Sequence, residues 1–146
     1  MPSYHISYRD EIVENQGRLF GRVGREHPES DGFDFMESYL RSRTRSFIDR
    51  AEALVSNMNS AELLEFFLKT DGYVFKLGRP VPGLAADWTG QFYAWAQWQS
   101  GLTSRELLDR LPLATILDAY PGLHDLSLPL AVERCLAARV SKSSSQ

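Results

Sequence analysis

From residue 31 onward the apolar positions recur with a helical period. Phe33, Met36, Leu40, Phe47, Ile48, Ala51, Leu54 and Val55 share one wide arc of a helical wheel, with Ser42, Ser46 and Asp49 opposite. This pattern predicts a long amphipathic helix, bent or broken near Asp49, whose first free N–H groups Ser30 or Asp31 can accept. Asn59 followed by Glu62 is a variant capping box, and Met58 with Leu63 is spaced as a hydrophobic staple across it. The second helix, AELLEFFLK, is apolar except for Glu62, Glu65 and Lys69, and Asp71-Gly72 ends it. YVFKLGRPVPGLAAD then reads as a connector rich in Pro and Gly.

Asp87 is placed to cap a third helix beginning at Trp88. On its wheel Trp88, Phe92, Trp95, Ala96 and Trp98 share a broad face that includes Gln91 and Gln99. Tyr93 flanks that face, while Gly90, Gln97 and Ser100 point away. Gly101 suits a left-handed helix end, and Leu102, Thr103, Glu106 and Leu107 supply a staple and a capping box for a fourth helix that stops at Pro112. Leu113, Ile116, Leu117 and Tyr120 define a short fifth helix ended by Pro121-Gly122. Pro129 opens a last one, with Ala131, Val132, Cys135, Leu136 and Ala138 facing inward.

The first thirty residues follow no such period. Tyr4, Ile6 and Tyr8 alternate with polar residues as a short strand would, and glycines at 17, 21, 24 and 32 with Pro28 read as irregular structure. The expectation is therefore an all-α, single-domain bundle or orthogonal array of about six helices over residues 31–140. An irregular arm, with at most a short strand, covers residues 1–30, and a disordered tail covers 141–146.

Composition fits one globular domain. The chain has 146 residues, 43% hydrophobic and 12% aromatic, with 16 basic and 19 acidic side chains. The net charge of −3 argues against a general nucleic-acid binder. The single cysteine excludes an internal disulfide and suits a reducing cytoplasm. No secretory signal or membrane-spanning run is legible, so the expected location is cytoplasmic, with no membrane partner.

Candidate chemistry is sparse. Residues 88–104 carry all three tryptophans and no charge. Trp88, Gln91, Trp95 and Gln99 could line a pocket for a planar ligand, although a buried core helix is the commoner use of such a stripe. In RSRTRSFIDR, Arg41 and Arg45 fall on one flank of the apolar arc and Arg43 and Arg50 on the other. Phosphate tracking needs charges along one path, so a solvated rim is the better reading. His5, His27 and His124 have no metal-ligand spacing, His124-Asp125 lacks the further ligands of a metal-dependent phosphohydrolase, and Asp125 is expected to cap a helix. The glycines at 17, 21 and 24 match no phosphate loop or dinucleotide fingerprint, and no nucleophile signature is present. The expectation is no enzyme activity, no cofactor and no metal site.

The block WTGQFYAWAQWQSGLTSRELLDRLPLATILDAYPGLHD resembles a group of small bacterial proteins that share a W-x-G-x-x-x-A-x-x-Q-W helix, a G-x-[ST]-x-x-E-[LI] turn, an [IL]-L-x-x-Y helix and a terminal L-H. The matching positions are Trp88, Gly90, Ala94, Gln97, Trp98, Gly101, Thr103, Glu106, Leu107, Ile116, Leu117, Tyr120, Leu123 and His124. That resemblance implies the partner-binding half of helix-turn-helix antitoxins or regulators encoded beside toxins of the ADP-ribosyltransferase type. Here SKSSSQ stands where such proteins continue into a recognition helix, which argues against direct promoter binding.

The leading expectation is thus a non-enzymatic, antitoxin-like or regulatory domain that occludes a partner protein such as a neighbouring gene's toxin, with Arg41, Arg45, Tyr93 and Gln97 exposed as its contacts. The alternatives are a small-molecule or nucleotide sensor using the tryptophan–glutamine pocket, and a mobile-element inhibitor of a host defence complex.

Overall fold

The computed structural model describes residues 6–50, 55 and 57–144. Eight helices lie among them: α1 (Ile6–Glu26), α2 (Gly32–Leu40), α3 (Arg43–Asp49), α4 (Ser60–Thr70), α5 (Gly83–Ser100), α6 (Ser104–Arg110), α7 (Leu113–Leu123) and α8 (Leu128–Ser144). The described chain is all-α, and none of its helices is long and apolar enough to cross a membrane.

The largest correction concerns the amino-terminal arm. Residues 6–26, expected as a strand and irregular chain, form the longest helix, while Tyr4 and His5 lie outside the described residues. Its outer face carries Arg18–Glu14 and Arg22–Glu26 pairs at i,i+4 spacing, and Ile12, Val13, Leu19, Phe20 and Val23 are buried on the other. The glycines that looked like breakers serve close approach instead. A Cβ on Gly90 of α5 would stand 2.5 Å from the Gln16 carbonyl oxygen, and one on Gly17 would stand 2.7 Å from Gln91 Cγ. The two backbones therefore touch, and Gln16 Nε2 donates to the Gly90 carbonyl at 2.7 Å. Because Arg9 meets Trp98 while Gly24 meets Val81 and Gly83, α1 and α5 run antiparallel. This pair is the axis of the fold, and the other helices wrap around it.

Among the described residues the long helix expected from residue 31 is already divided at Arg41–Ser42, and its second part ends at Asp49, where a bend or break was expected. Asp31 caps α2, accepting from Asp34 N at 2.9 Å. The turn then stops at Arg41, and Ser42 caps a new helix, its Oγ accepting from Arg45 N at 2.9 Å. The Asp71 carboxylate adds a second cap to α3, accepting from Arg43 N (2.8 Å), Thr44 N (3.2 Å) and Thr44 Oγ1 (2.6 Å). Ala51 and Leu54 lie outside the described residues, whereas Val55 is buried.

Both capping boxes form, Asn59 with Glu62 and Thr103 with Glu106, and Gly101 closes α5 at φ 74°. Three boundaries differ from expectation. Proline at 82 opens α5 at Gly83, so Asp87 lies inside the helix and caps nothing. Pro121 sits within α7, which runs on to Leu123. Ser127, not Asp125, caps α8, accepting from Leu130 N at 3.4 Å, and that helix continues through residues 141–144, where a disordered tail was expected.

Candidate interaction surface

The arginine-rich segment turns inward. Arg45 is fully buried, with Nη1 3.3 Å from Asp49 Oδ1 and Nη2 donating to Gln97 Oε1 at 3.4 Å. Asp49 in turn accepts from the backbone N–H and the hydroxyl of Ser104, at 3.3 and 3.2 Å. One ion pair thus ties α3 to α5 and to the start of α6. Nearby, the Tyr39 hydroxyl is buried with no hydrogen-bond partner. Burial pushes its pKa up to about 12, against a smaller downward pull from the Arg45 charge.

Three of the four residues expected at the surface are therefore interior. Arg45 and Gln97 are 0% exposed, and Tyr93 is buried with its hydroxyl donating to the Leu111 carbonyl at 2.6 Å. Burial raises the Tyr93 pKa. The wheel failed because it assumed one buried face. In fact α5 is covered on nearly every side, with Trp88, Phe92, Tyr93, Ala94, Ala96 and Gln97 all buried. Arg41 alone of the four is exposed; it reaches Asp109 at 3.4 Å, and its carbonyl accepts from Arg105 Nε at 2.8 Å.

The tryptophan–glutamine quartet does not assemble into a pocket. Trp88 packs on Phe92 and Tyr120, with ring centroids 5.2 and 5.5 Å away. Trp95, about 10 Å further along the helix axis by its seven-residue spacing, donates to Gln99 Oε1 at 3.0 Å. The Arg9 guanidinium lies over Trp95 and Trp98, at 4.2 and 4.6 Å. Gln91 donates to Asp87 within its own helix. Each glutamine thus has a local partner, and the two indoles face different neighbours.

Two small cavities, one beside Tyr39 and Gln16 and one beside Phe20 and Val81, each measure about 10 Å³. That is about the room one water molecule needs. Among the described residues no three His, Cys, Asp or Glu side chains are grouped to hold a metal ion. The lone thiol, Cys135, is half-buried, and burial raises its pKa. His27 stacks on Phe75 at 4.1 Å, and His124 lies 3.4 Å from Asp125 at the surface.

The connector between α4 and α5 is different. Its inward rings, Tyr73 and Phe75, join the aromatic cluster of Phe35 and Phe67. The Tyr73 hydroxyl donates to Asp34 at 2.9 Å, and burial and that neighbouring carboxylate raise the phenol's pKa well above 10. The chain here is extended and held along one edge: Asp31 N donates to the Lys76 carbonyl at 2.7 Å and Gly32 N to that of Arg79 at 3.0 Å. Between the inward rings, Val74 turns outward and is 74% exposed; Leu77 is 84% exposed, and Leu84 in the first turn of α5 is 79% exposed. An open trough of about 600 Å³ separates this segment from the end of α2, lined by Ser38, Arg41, Asp71, Tyr73, Val74 and Lys76.

None of these connector residues was a sequence candidate, because Pro and Gly marked the segment as linker. The available signal was the apolar run YVF, too hydrophobic for a linker whose backbone is already solvated. No protein-family model, curated protein or solved structure matches the chain.

Proposed function

We propose that the protein is an interaction domain that binds a partner protein and occludes its surface, with the connector between α4 and α5 as the principal contact. The observation carrying this reading is the outward pair Val74 and Leu77 on an anchored segment, with Leu84 exposed in the first turn of α5 that follows it. Large aliphatic side chains left in water are worth roughly 1.5–3 kcal/mol each when fully buried, enough for a small set to anchor an interface. The inner side of the same segment is fixed by stacked rings, so its ordering cost is met on folding rather than on binding. Arg41 supplies a charged rim beside it.

The resemblance of residues 88–124 to antitoxin-like proteins supports a toxin encoded by the adjacent gene as the partner. Those residues build the scaffold in this account, and the connector presents the contact. Co-expression with the neighbouring gene product tests the reading. Wild-type chain should relieve growth arrest and co-purify as a complex, while Val74→Asp, Leu77→Asp and Leu84→Asp together should abolish both without changing the helical circular dichroism. A neighbour that is harmless alone, or rescue unaffected by the triple variant, would remove the proposal.

A further inference from the structure

The second half of the connector has a conformation set by its own sequence. Proline locks its φ and pushes the residue before it out of the helical region. In GRPVPG this acts directly at Pro80 and Pro82, and through them at Arg79 and Val81, so residues 79–82 are all held extended. Pro82, at φ −56° and ψ 142°, has the angles of a polyproline II helix. The packing keeps the threefold period of that helix. A Cβ on Gly78 would stand 2.5 Å from the Asp31 carboxylate, and three residues further on Val81 is buried against Gly32. One edge of a three-sided ridge thus rests on the start of α2, and the other two face water.

Those two edges carry Arg79, Pro80 and Pro82, all exposed, with exposed Leu77 and Leu84 on either side of them. Proline rings present flat apolar surface with no N–H to satisfy, which suits an aromatic wall. Their fixed φ also means that little chain entropy remains to be lost on binding. Charge adds a direction. Arg41 and Lys76 reach Asp109 and Asp34, whereas the Arg79 side chain has no hydrogen bond or ion pair among the described residues. Its guanidinium is therefore open to a carboxylate brought by another molecule.

Resting on the interaction reading above, we infer that residues 79–82 form a polyproline II ridge that seats in an aromatic-lined groove of the partner protein, with an acidic side chain of that groove meeting Arg79. Pro80 and Pro82 stack on the groove's rings, and Leu77 and Leu84 extend the apolar contact at either end.

The complex with the co-expressed product of the adjacent gene tests this. With the full chain carrying carbon-13 at its prolines and the partner unlabelled, the ring protons of Pro80 and Pro82 should move upfield on binding, as protons over aromatic faces do. Those of Pro112 and Pro129 should stay in place. Pro80→Ala with Pro82→Ala should weaken the complex by about tenfold, the loss expected of a modest hot spot. Because Pro82 opens α5, Arg79→Glu serves as the variant that leaves the fold untouched; it should weaken binding to a similar degree, and Arg79→Lys should weaken it less. A complex whose proline resonances do not move, or whose affinity is unchanged in the proline and Arg79 variants, would overturn the inference. Concentration-dependent dimerisation of this chain through the same prolines would also overturn it, by making a second copy the occupant. If those variants bind normally while the triple variant at Val74, Leu77 and Leu84 still loses the complex, the ridge falls and the interaction surface stands. A neighbour that forms no complex removes both.

Discussion

The Arg45 region and the connector before α5 carry opposite messages in sequence and in space. Arg45, Tyr93 and Gln97 belong to the residue types that dominate interfaces, yet each is enclosed and engaged by another helix. The connector looks like a spacer of Pro and Gly, yet it is pinned by two backbone hydrogen bonds and a stack of rings while aliphatic side chains face water. Residue type alone does not locate a surface. What decides is how many neighbours cover the element: α5 is packed on nearly all sides, whereas the connector has only one side against the core.

The comparison breaks most sharply at Arg45. Replacing it with Ala leaves Asp49 buried without its counter-charge, and chemical denaturation should show a loss of about 3–5 kcal/mol. Arg45→Met combined with Asp49→Leu should recover most of that loss, since the pair is costly to split rather than costly to remove. An exposed arginine would show almost none of this.

Gly90→Ala comes next. Its methyl group would sit 2.5 Å from the Gln16 carbonyl oxygen, a backbone atom, so α1 must shift away from α5. A loss of about 1–3 kcal/mol is expected by urea denaturation.

Tyr39 sharpens the account through pH. Its folded-state pKa, about 12, exceeds the ordinary tyrosine value. Its contribution to stability is therefore intact below pH 10 and lost as pH rises from about 10 through 12, because only the unfolded chain ionises readily there. Thermal scans across that window should show a steeper alkaline loss in wild type than in Tyr39→Phe. At pH 7 the same substitution should be neutral or slightly stabilising, since the hydroxyl it removes has no hydrogen-bond partner.

The smallest stability effect belongs to the connector. Val74→Asp and Leu77→Asp should each stay within about 0.5 kcal/mol of wild type, although both should weaken partner binding.

Local chemistry was legible where it is self-contained. Both capping boxes, the left-handed Gly101 and the Asp31 cap involve residues within one turn, and each forms as the sequence implies. What was not legible depends on distant chain. Gly17 reads as part of an irregular arm and Gly90 as an outward position of its helix until α1 and α5 are laid together, when a Cβ at either would collide with the other helix. Ser42 divides the expected long helix because its hydroxyl and the distant Asp71 carboxylate cap a new start. The candidate site was misplaced for the same reason. A helical wheel says which residues share a face, but the covering of Gln97 and Tyr93 comes from α3 and from the chain after α6.

The central claim is that the connector faces outward while the arginine and aromatic segments are internal scaffold. Thiol-labelling rates test it most directly, using single cysteines at positions 74, 77, 93 and 97 in a Cys135→Ser background. Positions 74 and 77 should react as fast as a free peptide thiol, and positions 93 and 97 only as fast as the protein unfolds. Rapid labelling at 93 and 97 in the folded protein, or protection at 74 and 77 in the isolated chain, would contradict the account.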